Sequence, residues 1–101
     1  MDKYEEWNLN MDSESLWLAT CGELAISLSP AGFSGWVKPC VIKSISEIDT
    51  DRILVELFTT SAFHSKTVED KFYLYIKQAM EKVSKKKVDL ALVVNPKNIE
   101  K

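Results

Sequence analysis

The spacing of apolar side chains predicts one amphipathic helix in the second half of the chain. At 100° per residue, apolar positions between 68 and 83 fall within a stripe of roughly 140°. These positions are Val68, Phe72, Tyr75, Ile76, Ala79, Met80 and Val83. Ser65 or Thr67 is the predicted start, Thr67 forming a capping box with Asp70. Lysines at the C-terminal end suit the negative pole of a helix dipole.

Four segments before this helix and one after it have the character of strands. "SLWLAT" and "ELAISLS" flank Cys21-Gly22, and the strict alternation of Leu24, Ile26 and Leu28 predicts a hairpin with Gly22 in its turn. A helix over 13–21, capped by Asp12, is the alternative for the first segment. "WVKPCVIKSISEI" is extended in character and begins at Pro39 or lies on an edge. "RILVELFTT" and "VDLALVV" are apolar on both faces, as interior strands are.

These elements predict an α+β fold of order β-β-β-β-α-β, with a mainly antiparallel sheet of about five strands. One long helix packs on one face, and the last strand lies beside "RILVELF". Residues 1–12 are predicted to be a flexible N-terminal arm and residues 13–101 a single domain. The second sheet face then needs a cover from the arm or from a second copy. The residues that require it are Trp17, Trp36, Phe58 and Val93.

Composition and charge exclude several classes of protein. The chain has 101 residues, of which 46% are hydrophobic and 28% charged, and this balance is typical of a globular domain. Its apolar runs are too short to span a membrane, and the N-terminus lacks the apolar segment of a secretory signal, so a cytoplasmic location is expected. The net charge of −2 is divided unevenly, with acids in excess before residue 60 and bases after it. Such a chain can attract its own copy or a charged partner.

Candidate nucleophiles and metal ligands are few. Cys21 and Cys40 are predicted to be free thiols, and with one histidine in the chain they cannot complete a zinc site. His64 could act as a general base towards a cysteine, but a histidine beside a helix start is more often a partial cap or a surface residue. We therefore expect no metal and no cofactor.

The stretch "EIDTDRILVELF" supplies a catalytic alternative. Asp49, Asp51 and Glu56 lie at a turn and on the strand after it, followed by a helix and another strand. This arrangement resembles in part the second half of restriction-endonuclease-like nucleases, where an Asp and a strand bearing Glu-x-Lys bind a divalent metal. Phe58 stands where that pattern has its lysine, and Lys66 or Lys43 would have to replace it. The resemblance implies a metal-dependent nuclease-like enzyme.

The basic run near the helix end supplies a second alternative. A nucleic-acid-binding module would contact phosphates through Lys82, Lys85, Lys86 and Lys87. The run contains no arginine, which reads bases with two hydrogen bonds, so nucleic acid is not the favoured partner. Trp17, Trp36 and Phe33 could stack bases, although core packing is the expected role of these aromatic side chains.

The preferred interpretation is a non-enzymatic interaction protein. Tyr73 and Leu74 lie off the apolar stripe of the helix, and with Lys77 they form the predicted contact surface. A helix with one face on the sheet has only an external partner left for a second apolar face. We therefore predict a small regulatory, accessory or immunity-type module of prokaryotic or viral character that acts as a homodimer.

Overall fold

The computed structural model describes residues 12–96, which form four α-helices, one π-helical turn and three strands. The predicted α+β class is confirmed, whereas residues 1–11 of the predicted arm lie outside the described residues. In chain order the elements are α1 (Ser13–Ser27), α2 (Pro30–Gly32), the π-helical turn (Phe33–Val37), β1 (Val41–Asp49), β2 (Arg52–Thr59), α3 (Ala62–Lys71), α4 (Tyr73–Ser84) and β3 (Lys87–Val94).

The sheet has the order β1-β2-β3, with β2 antiparallel to β1 and parallel to β3. The predicted interior position of "RILVELF" and the place of the last strand beside it are both confirmed. The prediction that "VDLALVV" is also interior is wrong, because β3 lies at the edge of the described sheet. One face of β2 is buried against the helices through Ile53, Val55 and Leu57. The other face presents Leu54 and Phe58 at intermediate exposure, and no element among the described residues covers it.

The first two predicted strands are wrong, because residues 13–27 form the single helix α1. Asp12 begins it by accepting a hydrogen bond of 2.8 Å from the Ser15 backbone N–H, as helix N-caps do. The alternation at positions 24, 26 and 28 is coincidental, since Leu24 is buried while Ile26 is 84% exposed. The alternative of a helix over 13–21 was the better prediction, and that helix extends through the segment read as the second strand.

The predicted long helix is two helices, α3 and α4, separated at Phe72, whose backbone leaves helical geometry at φ −122° and ψ −7°. It also begins earlier than expected, because Ser61 rather than Ser65 or Thr67 supplies the cap. Its stripe is largely confirmed, with Val68, Ile76, Ala79 and Met80 buried. Tyr75 departs from the prediction and is 50% exposed.

The third predicted strand begins later than its apolar pattern indicated. Trp36 and Val37 belong to the π-helical turn, and β1 starts at Val41, just after Pro39. A proline cannot donate a ladder hydrogen bond, so the strand start beyond it follows from the sequence. Within residues 12–96 the sheet therefore has three strands, not five, and it is mixed rather than mainly antiparallel.

Candidate interaction surface

The three carboxylates of the nuclease alternative do not meet. Asp49 and Asp51 are exposed at the hairpin turn, where Asp49 accepts a 3.0 Å hydrogen bond from the Asp51 backbone N–H. Hydrogen bonding with Asp51, and secondarily the charge of Arg52, lowers the pKa of Asp49. Glu56 lies four residues beyond Arg52 along β2. At about 3.3 Å per residue, its backbone is roughly 13 Å from that of Arg52 beside the hairpin turn.

Glu56 is a half-buried carboxylate on the sheet. It accepts a 2.7 Å hydrogen bond from the Ser44 hydroxyl and pairs with Lys43 at 3.7 Å. Within residues 12–96, no group of three His, Cys, Asp or Glu side chains is placed to hold a metal ion. The geometry therefore gives the nuclease alternative no support.

Both ring nitrogens of His64 are occupied by backbone groups. Nδ1 accepts from the Thr60 N–H at 2.9 Å, which leaves Nε2–H to donate to the Trp36 carbonyl at 2.7 Å. The imidazole is 5% exposed and stacks on the Trp36 ring with centroids 5.9 Å apart. His64 thus satisfies a carbonyl near the end of the π-helical turn and ties α3 to it, and neither nitrogen is left for proton transfer.

The cysteines are free thiols in the structure. Cys40 is fully buried, its Sγ–H donates to the same Trp36 carbonyl at 3.5 Å, and burial raises its pKa to about 12. Burial also raises the pKa of Cys21 on α1, although nearby Lys38 opposes that shift. A thiol acts as a nucleophile only as the thiolate, so neither environment activates its cysteine.

The lysine run is split between different contacts. Lys82 pairs with Glu23 of α1 at 2.9 Å, and Lys86 Nζ donates to the Thr50 carbonyl at 2.9 Å. Lys85 ends α4 in the left-handed region at φ 64°, and Lys87 is exposed at the start of β3. A continuous phosphate-binding patch would need these side chains on one surface. Their divergence does not favour the nucleic-acid alternative.

The predicted contact residues on α4 occupy three different environments. Tyr73 is half-buried, and its hydroxyl donates to the Leu90 carbonyl of β3 at 2.7 Å. Lys77 pairs with Glu81 at 2.8 Å, and this ammonium, followed by the Val88 N–H, lowers the pKa of Glu81. Leu74 is 64% exposed, as expected from its helical position. Tyr73 therefore contributes to internal packing, and Leu74 is the exposed apolar member of this set.

A larger apolar surface lies on the outward side of α1. Leu16, Thr20 and Leu24 face the core, whereas Leu18 and Ile26 are 74% and 84% exposed. At 100° per residue, five positions without a polar side chain lie opposite the buried side, with Ser15 interspersed among them and the exposed Glu14 at one edge. These five residues, called here the α1 stripe, are Leu18, Ala19, Gly22, Ala25 and Ile26.

Such a helix is unusual for the surface of a monomer. Surface helices normally keep polar residues on the solvent side, so a solvent side made mostly of apolar residues is unusual. The stripe has no charged side chain; Glu23 at one edge is paired with Lys82, and the exposed Glu14 lies at the other edge. The outward side of α1 therefore has the composition of a contact surface.

The apolar surface continues from α1 towards the sheet edge. A groove of about 420 Å³ separates α1 from the start of β1, lined by Trp17, Leu18, Cys21, Val41 and Ile42 together with Ser13 and Glu14. Val41 at its floor is 49% exposed. The groove extends the area that a partner seated on α1 would contact.

The four residues predicted to need a cover lie in two places. Phe58 and Val93 share the uncovered sheet face at intermediate exposure, where the Arg52–Asp89 ion pair of 2.8 Å makes the surface mixed in polarity. Trp17 and Trp36 are half-buried on the helical side. Aromatic stacking on nucleic acid would need open ring faces, and Trp36 uses its ring on His64 and Phe63.

Sequence reasoning missed the α1 stripe because it assigned residues 23–28 to a strand. Two signals could have found it. Asp12 is a strong N-cap, and Leu18, Gly22 and Ile26 recur every four residues, as positions on one side of a helix do. In the strand interpretation these residues fall on different elements, and the surface they share disappears.

No helix within residues 12–96 is both long enough and apolar enough to cross a membrane. No model of a protein family matches this chain, and no curated protein matches its sequence.

Proposed function

We propose that this chain is a small non-enzymatic interaction protein, accessory or regulatory in role, that acts as a homodimer. The observation that supports it is the outward side of α1, an apolar helix face with two large side chains about three-quarters or more exposed. Burying a Leu or Ile side chain fully contributes about 1.5–3 kcal/mol relative to leaving it in water. A partner packed over α1 buries both Leu18 and Ile26 and so gains much of this free energy from each.

The structural contacts of the candidate catalytic side chains also favour a non-enzymatic interaction protein. His64 has both nitrogens bonded to backbone, Cys40 is buried as a thiol, and Glu56 lies on the sheet away from the acids of the turn. These side chains stabilise the fold in the contacts described above. The α1 stripe has no comparable internal role, since it faces away from the core.

The test uses charge placed in the stripe. Leu18→Glu and Ile26→Glu remove little internal packing, so the helical circular dichroism should remain. An unpaired charge buried in an interface typically costs about 3–5 kcal/mol, which corresponds to a dissociation constant weaker by roughly a hundredfold or more. Sedimentation equilibrium measures this change directly.

Two matched variants make the result specific. Phe63 on α3 is 73% exposed, nearly the same as Leu18, but lies outside the stripe, so Phe63→Glu should associate like wild type. Leu74→Glu tests the surface predicted from the sequence. If Leu74→Glu alone produces monomers, the homodimer forms through α4. If no variant changes the mass of a dimeric wild type, the interface lies on another surface, and α1 does not form it.

A further inference from the structure

The α1 stripe has a symmetry that specifies how two copies would meet. On the basis of the proposed homodimer, we infer that α1 packs antiparallel on the partner's α1. The two-fold axis then passes beside Gly22. In such an interface the same patch contacts itself, so each residue meets the one at equal distance on the other side of the axis. Leu18 then meets the partner's Ile26, and Ala19 meets the partner's Ala25.

The residue sizes match this pairing. Leu18 and Ile26 stand four residues on either side of Gly22, and Ala19 and Ala25 stand three residues on either side. The order along the stripe is therefore large, small, glycine, small, large. Two copies related by a two-fold axis place each large side chain against another large one at the ends, and bring small residues together at the centre. The stripe is thus complementary to itself in reverse direction.

Gly22 has no internal reason to be glycine. Its φ is not positive, so the backbone conformation is open to any residue. A Cβ built on it would meet nothing within 4 Å, so internal packing does not exclude a side chain either. Glycine inside a helix is less favourable than alanine. Close approach of a second helix backbone would explain why position 22 is glycine.

The charges around the stripe allow this approach. Two copies of the stripe present no like charges to each other, because none of its members is charged. Glu23 at the flank is held by Lys82 of the same chain at 2.9 Å. Antiparallel alignment also sets the positive end of each helix dipole near the negative end of the other, which is favourable.

The expected contact is small. A helix of 15 residues is roughly 22 Å long and about 10 Å across with its side chains. Two such faces cover roughly 440 Å² in total, below the lower limit of about 1,200 Å² for stable complexes, so even with the neighbouring groove the contact is of the weak, transient kind. We therefore expect a reversible association with a dissociation constant in the micromolar range.

Single cysteines distinguish the antiparallel pairing from other arrangements. The variants are made in a Cys21→Ser background. Gly22→Cys places two thiols beside the two-fold axis. The two thiols of Ala19→Cys lie about 9 Å apart along the helix direction, because position 19 faces the partner's position 25, six residues away at 1.5 Å each. A disulfide requires Cα atoms about 4.4–6.8 Å apart. In the double variant Ala19→Cys/Ala25→Cys, the thiol at position 19 of one copy lies near the thiol at position 25 of the other copy. Each variant is oxidised under native conditions and analysed by non-reducing electrophoresis, with circular dichroism as a check of folding.

We expect disulfide-linked dimers from Gly22→Cys and from the double variant, with linking of Ala19→Cys at least about tenfold slower because of the longer separation. Equal linking at positions 19 and 22 indicates a parallel pair and overturns the inference. Sedimentation of the Cys21→Ser parent, which keeps glycine at position 22, separates the two proposals. If the parent dimerises and Gly22→Cys does not link at concentrations where it also dimerises, the two-fold geometry alone is overturned. A parent that is monomeric at all concentrations overturns the homodimer as well.

Discussion

Replacing Gly22 by alanine should change folding and association in opposite directions. In the folded monomer the added methyl group meets no atom within 4 Å, so it introduces no clash. Alanine is more favourable than glycine inside a helix by about 0.8–1 kcal/mol. A gain of this size raises the melting temperature of a domain of 60–100 residues by roughly 4–8 °C.

The same methyl group should weaken the dimer. Placed beside the two-fold axis, two Cβ atoms hold the helices apart and reduce the contact of Leu18 with the partner's Ile26. Overpacking of a close contact typically costs about 1–3 kcal/mol, which is roughly a 5- to 150-fold increase in the dissociation constant. The two effects have different concentration dependence and can be measured apart.

The assay combines thermal unfolding of dilute protein with sedimentation equilibrium of concentrated protein. Dilute Gly22→Ala should unfold at a higher temperature than wild type, and concentrated Gly22→Ala should contain less dimer. A lower melting temperature would mean that Gly22 has an internal packing role. Tighter association would mean that the methyl group fills a gap, so the helices do not approach closely at Gly22.

Three further predictions concern the fold. His64→Ala should lower the free energy of unfolding by about 2–5 kcal/mol, measured in urea, because the Thr60 N–H loses its partner and the Trp36 carbonyl keeps only the weak Cys40 Sγ–H donor; a loss below about 1 kcal/mol would contradict the structural role. Thr20 has a buried hydroxyl without a partner among the described residues, so Thr20→Val should raise that free energy by about 1–2 kcal/mol in the same assay, and a decrease would show that the hydroxyl is bonded. The pKa of Glu81 is lowered from its ordinary value of 4.5, so its contribution is complete above that value and is lost as the pH falls through the lowered folded-state pKa. Glu81→Gln should remove this acid-side decrease from a series of urea titrations, and an unchanged pH profile would contradict it.

Two strands were predicted correctly from apolar residues on both faces, "RILVELF" and "VDLALVV". This pattern indicated an interior position for both, which holds for β2 only, because β3 pairs with β2 in parallel and lies at the edge of the described sheet. The segment Glu23–Leu28 was different, because its alternation over six residues fits a strand as well as a helix. Capping by Asp12 and packing of α1 on α4 and β1 decide the outcome, and the packing depends on residues distant in sequence.

The contact surface was predictable only in part. The exposure of Leu74 followed from its helical angle, and the structure agrees. The inward turn of Tyr73 depends on the Leu90 carbonyl of β3, which no local pattern could indicate. No proline or glycine at Phe72 indicates the helix break in the sequence. The Phe72 ring lies close to Gly32 of α2, which is again a contact between distant segments.

The central claim is that this chain associates with itself through α1, and sedimentation equilibrium of the wild-type protein tests it most directly. The measurement covers loading concentrations from about 1 μM to several hundred μM, on either side of a micromolar dissociation constant. We predict that the weight-average mass rises from the 11.5 kDa of one chain towards twice that value, and that Leu18→Glu remains at the mass of one chain. A wild-type mass of 11.5 kDa at every concentration would contradict the account.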